Sequence, residues 1–337
     1  MEKDKIVLNI YGIIISLIGN EEIVNKLSLD FKYFLLDNNN LNIKINLSIN
    51  INFINPPYEK IPQISASMYK PDCLCYDYNN LRYVDYNGKG LVIFNKKNKF
   101  AEIYSLDKDL LYEISYLFLH SQVGELLDIK GYHRIHSCSF SYNNKTFICT
   151  LSQGCGKSTL LMNLLKNNSI KLLSDDTPII NRKGNVYPFP IRIGICNDFD
   201  TSNIDKKFIT VFNSRIFGQK NLVSFEYFKD RIEKEIFPTT IILGKRVYSN
   251  TPMLIKTNKF CAFIELLKHC IIGYGLPQVI EYFLIGGFKD IIKKMHIVLS
   301  RLYASIRLLL KTKQVYYFYL SKNKDTNSSF FTDFFKR

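Results

Sequence analysis

The stretch Ser152-Gln153-Gly154-Cys155-Gly156-Lys157-Ser158-Thr159 constrains this chain more than any other. It follows a strand-like run, Lys145-Thr146-Phe147-Ile148-Cys149-Thr150-Leu151, and opens a helix-like one, Leu160-Leu161-Met162-Asn163-Leu164-Leu165. Strand, glycine turn, Gly-Lys-Ser and helix make the layout of a phosphate-binding loop. Gly154 and Gly156 let the backbone curl until its amides converge on an anion at the helix N-terminus. Lys157 is then placed to reach terminal phosphates, and the Ser158 hydroxyl to bind the Mg²⁺ they carry. The usual pattern, G-x-x-x-x-G-K-S/T, has glycine where this chain has Leu151. A glycine-bearing helix start that binds nothing is the plainer alternative; the flanking strand and helix, which the motif requires, weigh against it. Ser152 to Thr159 are all candidates for nucleotide contact.

At 337 residues the chain is long enough for two domains, and its 47% hydrophobic content is ample for a packed core. No run of about 20 uninterrupted apolar residues occurs. The nearest, Ile271 to Phe288, contains Pro277, Gln278 and Glu281 and reads as a buried helix, so no membrane span is expected. The N-terminus lacks a signal-peptide pattern, since Ile13-Ile14-Ile15 is short and soon followed by Glu21-Glu22. The eight cysteines are scattered without a C-x-x-C pair, which argues against zinc or a disulfide framework and for a cytoplasmic protein. The net charge of +15 is uneven: residues 241–337 hold 16 Lys and Arg against 5 Asp and Glu. Such a region suits a nucleotide, an acidic peptide, nucleic acid or an anionic surface; a lysine-rich surface without a partner is the alternative.

Residues 1–105 read mainly as strands, with Ile6 to Ser16, Leu41 to Phe53 and Leu91 to Tyr104 the richest runs and turns at Asn87-Gly88 and Lys97-Asn98. Strict alternation over Leu41 to Leu47 predicts a half-buried strand. A helix is expected from Asp107, its cap, to about Leu127. From Tyr132 strand and helix alternate: His133 to Tyr142 pairs through Asn143-Asn144 with Lys145 to Leu151, and a second run, Ile170 to Ser174, ends at Asp175-Asp176. Thr177 to Asn181 reads as strand, and Pro188-Phe189-Pro190 forces extended backbone. After Gly244 the pattern is mainly helical (Lys259 to Tyr274, Lys289 to Leu310), then a strand, Gln314 to Leu320, and a polar tail.

Asp175 stands eighteen positions after Lys157, room for one helix, a turn and a strand. A right-handed crossover lays that strand in the same sheet, with its end at the phosphate loop. Phosphoryl transfer needs a metal ligand and a base there, and a pair of carboxylates offers both. An Asx-type turn is the alternative for either aspartate. His136, just upstream of the hairpin, is placed to orient a carboxylate and stabilise a transferred proton. His120, His133, His269 and His296 read as structural.

His136-Ser137, then Gly154-Cys155-Gly156-Lys157-Ser158-Thr159, then Leu172-Leu173-Ser174-Asp175-Asp176 together resemble the HPr kinase/phosphorylase family, which is related to the phosphoenolpyruvate carboxykinase P-loop fold. The resemblance covers about residues 126–195, with the motifs in the family's order and spacing. It implies that Lys157 and Ser158 hold ATP phosphates and Mg²⁺, that Asp175 is the base toward an acceptor hydroxyl with His136 assisting it, and that Asp176 helps with the metal. Leu151 departs from the family's loop, Thr159 stands where the family has an acid, and no Pro-Gly-Arg-Asn-type loop follows, so reverse phosphorolysis is not expected. What remains is similar to the HPr-kinase-like proteins of peptide tailoring, including lasso-peptide kinases; Gly273-Tyr274-Gly275-Leu276-Pro277-Gln278 also looks similar to a segment of that group. The expected fold is α/β (α+β overall). A strand-rich N-terminal domain with a linking helix spans 1–125, and a P-loop kinase domain with a mixed sheet and a basic helical C-terminal region spans 126–337.

The function expected is ATP-dependent transfer of the γ-phosphate to a hydroxyl of a peptide or small protein, docked with help from the basic C-terminal region. Arg192 is the candidate cation for the equatorial oxygens, with a surface arginine as the alternative. A nucleotide-sensing module without transfer is the second reading, favoured by Leu151 and opposed by the acid pair. Nucleic-acid binding is the weakest, because no recognition motif accompanies the charge. Homo-oligomerisation is left open.

Overall fold

The computed structural model describes residues 4–36, 43–152, 154–214, 218–234, 237, 239–273, 276, 292 and 294–336. They divide into two compact units, Met1–Val123 with Val211–Lys220, and Gly124–Thr210 with Asn221–Arg337.

The first unit is built on eight strands: β1 (Asp4–Ile10), β2 (Ile13–Gly19), β3 (Leu47–Asn52), β4 (Met68–Tyr69), β5 (Leu74–Tyr78), β6 (Leu81–Asp85), β7 (Gly90–Asn95) and β8 (Phe100–Ser105), in the order β1-β2-β3-β8-β7-β6-β5-β4. β3 pairs in parallel with β2 and β8, and the other neighbours are antiparallel. Helix α1 (Glu21–Asp30), capped by the Asn20 side chain, makes the crossover from β2 and buries Ile23, Val24 and Leu27. Two readings change here. Ile6 to Ser16 is a hairpin, turned at Tyr11 (φ 52°) and Gly12 (φ 78°), where the Gly12 amide donates to Asn9 Oδ1 at 2.8 Å. The alternation before Leu47 is not strand over 43–46. β8 begins only opposite Ser48, so nothing on that side pairs with the earlier residues, and Ile43 and Ile45 are exposed. The Asn87-Gly88 turn joins β6 to β7, and Asp107 caps α2 (Lys108–Lys130) through Leu110 N at 3.1 Å.

In the second unit the expected strand His133 to Tyr142 is two strands, β9 (Tyr132–Arg134) and β10 (Cys138–Tyr142), in different sheets. There follow β11 (Lys145–Thr150), α3 (Lys157–Leu164), β12 (Lys171–Ser174), β13 (Ile179–Asn181), β14 (Val186–Tyr187) and β15 (Ile193–Ile195). The chain then passes through β16 (Ile209–Ser214) and β17 (Gly218–Val223), of which the residues within Val211–Lys220 belong to the first unit. It continues in the second with β18 (Thr239–Arg246), β19 (Met253–Thr257), α4 (Lys259–Leu266), α5 (Met295–Lys311), β20 (Gln314–Leu320) and α6 (Lys324–Lys336). The central sheet runs β12-β10-β11-β18-β20-β19. β11, β18 and β20 are mutually parallel, while β10 opposes both β11 and β12 and β19 opposes β20. The fold is therefore a mixed α/β one. β12 joins the sheet as expected, one strand removed from β11.

One side of this sheet is a core of Ile135, Ile148, Leu173, Ile241 and Leu243 closed by Ala262 and Leu266 of α4 and by Ala304 and Leu308 of α5. The region after Leu320, read as a polar tail, is helix α6. Phe331 and Phe335 stand one turn apart, are buried, and meet the stacked rings of Phe140 and Phe147. The helix from Lys259 passes at Leu267 into a π-helical turn, Leu267–Ile272, and stops at Gly273 (φ 74°). Of the expected buried helix Ile271 to Phe288 and the Gly273 to Gln278 segment, all but 271–273 and 276 lie outside the described residues, as does Lys289. Among the described residues no helix is long and apolar enough to cross a membrane.

Candidate active site

The strand directions assemble the site. β11 and β12 both end at the same edge of the sheet, and β10, running the other way between them, begins there. The loop after β11, the acids after β12 and the residues ahead of β10 thus converge from three separate places in the sequence. His136 lies in the break between β9 and β10, which frees it from either ladder. In the loop, Gly154 (φ 76°) and Gly156 (φ 89°) are both left-handed, and Gly156 is the N-terminal cap residue of α3. A side chain at either position is strained there, which explains the glycines. The Cys155 amide closes a turn onto the Ser152 carbonyl at 3.1 Å. Ser152 is exposed, Cys155 and Thr159 are half-buried, and Gln153 lies outside the described residues.

The Lys157 ammonium pairs with Asp176 Oδ1, and His136 Nε2 lies 3.2 Å from the same oxygen. The Ser158 hydroxyl donates to Asp175 Oδ2 at 2.9 Å. Burial presses the Asp176 carboxyl upward, but the adjacent Lys157 and His136 outweigh it and hold it well below the usual carboxylate range. It is ionised throughout the neutral range, with 46% of its side chain reachable by solvent, whereas His136 is nearly enclosed. Consecutive residues at a strand end face opposite ways, so the two acids take different partners. The pairing is the reverse of the expectation: His136 meets Asp176, and the loop serine meets Asp175.

No protein-family model matches the chain, and neither does any curated protein.

A hydroxyl and a carboxylate held 2.9 Å apart are hard oxygen donors of the kind Mg²⁺ takes. Among the described residues no group of three or more His, Cys, Asp or Glu could cage a metal.

The structure brings together Lys157, Ser158, Asp175, Asp176 and His136. Arg192 stands half-buried one residue ahead of β15, a strand of another sheet. Three features escaped the sequence reading. The His136 amide donates to the His269 carbonyl at 2.9 Å, the two rings lie 5.5 Å apart, and His269 Nε2 is 3.4 Å from Glu265 Oε2. The signal was the i, i+4 spacing of Glu265 and His269. The second is Gly244 on β18: a methyl there would lie 2.5 Å from Leu151 Cγ, so the leucine at the first loop position occupies space that this glycine leaves. The third is Arg246, whose Nη1 lies 3.3 Å from where a Cβ on Gly156 would stand.

A buried charge network holds α5 in place beside this site. Arg301 on α5, Asp128 on α2 and His133 on β9 are all inaccessible or nearly so. Arg301 grips both Asp128 oxygens, with Nε to Oδ1 at 2.9 Å, and donates through Nη1 to the Cys270 and Ile271 carbonyls of the π turn at 3.1 and 3.2 Å. His133 Nδ1 meets Asp128 Oδ1 at 2.7 Å. The π turn widens the helix where its carbonyls are diverted to Arg301 and to the His136 amide.

Proposed function

We propose that this chain is an ATP-dependent kinase, similar to the HPr-kinase-like proteins, that transfers the γ-phosphate to a hydroxyl of a peptide or small protein. The observation that carries this reading is the convergence, at one sheet edge, of Lys157 and Ser158 with two acids, one on the loop serine and one beside a histidine. In P-loop enzymes the loop serine and a strand-end aspartate together hold Mg²⁺. Ser158 and Asp175 are that pair, and the metal supplies charge neutralisation on the phosphates. Asp176 and His136 remain for the acceptor. As nucleotide phosphates draw the Lys157 ammonium toward them, Asp176 is released to accept the hydroxyl proton, with His136 to orient it. The acceptor oxygen bonds to the γ-phosphorus, the bond to the β–γ bridging oxygen breaks, and ADP leaves. The resemblance assigned these two acids the other way round.

The sensing alternative drew on Leu151. Its packing against Gly244 gives that departure a local steric cause without loss of the glycines at 154 and 156, so the kinase reading is preferred. Transfer of labelled γ-phosphate to an acceptor, with Mg²⁺ titrated, tests the roles. Asp176→Asn should bind MgATP but lose on the order of 10²-fold or more in rate, whereas Asp175→Asn should chiefly raise the Mg²⁺ requirement. Wild-type rates in both variants would sink the proposal.

A further inference from the structure

Phosphoryl transfer spreads negative charge over the equatorial oxygens, and enzymes that catalyse it commonly bring an arginine to that charge. We infer that Arg246, at the end of β18, is this arginine, a role that rests on the nucleotide-binding reading of the loop. β18 is the parallel neighbour of β11, with Leu243 opposite Thr150. Beyond that pair β11 turns into the loop while β18 runs on for three more residues. Its extension passes along the loop: Gly244 lies against Leu151, and Arg246 reaches Gly156.

The alternation of a strand separates the two cations at its end. Lys245 faces Tyr317, its ammonium 4.2 Å from the ring centroid, while Arg246 is turned to the loop. Arg246 is exposed; its backbone pairs with Leu320 in the β20 ladder, while its side chain has no hydrogen-bond or ion-pair partner among the described residues. Lys157, by contrast, is already engaged by Asp176. A guanidinium offers a planar fork of donors that matches phosphate oxygens bidentately, and here it stands beside Gly156, the left-handed residue that caps the N-terminus of α3. A Cβ added at Gly156 would lie 3.3 Å from Nη1, which places the guanidinium at the start of α3.

The test is calorimetric titration of the full chain with inorganic tripolyphosphate in Mg²⁺, which isolates phosphate contacts from those of the base. Arg246→Gln should weaken binding about tenfold or more, and Arg246→Lys should recover part of the loss. Arg307→Gln, which removes an exposed arginine on α5, should change nothing, and thermal unfolding should be the same in all three variants. Equal affinity in Arg246→Gln and wild type, with Lys157→Ala impaired, would overturn the role of Arg246 and leave the loop reading intact. No binding by wild type would overturn both.

Discussion

Leu151 and Gly244 form a complementary pair whose energetics follow from the structure. Leu151 is 1% exposed, and a methyl on Gly244 would lie 2.5 Å from its Cγ, 2.7 Å from its Cδ2 and 3.0 Å from the Thr150 carbonyl oxygen. Gly244→Ala therefore overpacks the base of the loop and should cost about 1–3 kcal/mol, although alanine is ordinarily the better residue within a strand. Leu151→Ala empties the same space and should cost about 2–5 kcal/mol. In the double variant the two closest contacts are gone, only the Thr150 oxygen remains tight, and the new methyl fills part of the void. The double variant should thus be about 1–2 kcal/mol more stable than the sum of the single losses. Restoring the usual glycine at 151 should likewise destabilise this chain. Urea unfolding of the four proteins measures the coupling. Additivity within about 0.5 kcal/mol, or a neutral Gly244→Ala, would refute the packing argument.

Two further outcomes are expected. Burial presses Asp128 upward, yet Arg301 and His133 hold its carboxyl well below the usual range. Its contribution to stability is present above the unfolded carboxylate pKa of about 3.9 and is lost as pH falls through the depressed folded value. Asp128→Asn should cost about 3–5 kcal/mol at neutral pH, because Arg301 is left buried with its charge uncompensated, and should flatten the acid limb of stability; chemical unfolding across pH 2–7, at intervals of about one unit, measures both. Gel-shift titration at near-physiological salt should show only weak nucleic-acid binding that disappears with added salt; sub-micromolar affinity would favour the nucleic-acid reading.

The conformation of the loop was legible because its residues are adjacent in sequence and the turn geometry demands glycine at 154 and 156. The acid pair was legible for a related reason: one helix and one strand return the chain to the same sheet edge. Which acid meets His136 was not, since it depends on the facing of successive residues at the end of β12 and on the break that frees His136 between β9 and β10. Arg246 gave no local signal. It reaches the loop only through the parallel pairing of β11 with β18, some ninety positions apart. Helix α6 was hidden because polar residues dominate its first turns, while the phenylalanines that bury it, Phe331 and Phe335, come near its end. The Tyr11-Gly12 hairpin lacks the usual Asn-Gly or Asp-Gly pair, so two short strands read as one.

The central claim, that this loop holds the phosphates of ATP, is tested most directly by calorimetric titration of MgATP into wild type and Lys157→Ala. Lys157 brings the charge at the helix start within reach of the terminal phosphates and should carry much of the affinity. The account predicts saturable one-site binding by wild type and a loss of about tenfold or more in the variant. Equal affinity in the two proteins, or no binding by wild type, would contradict it.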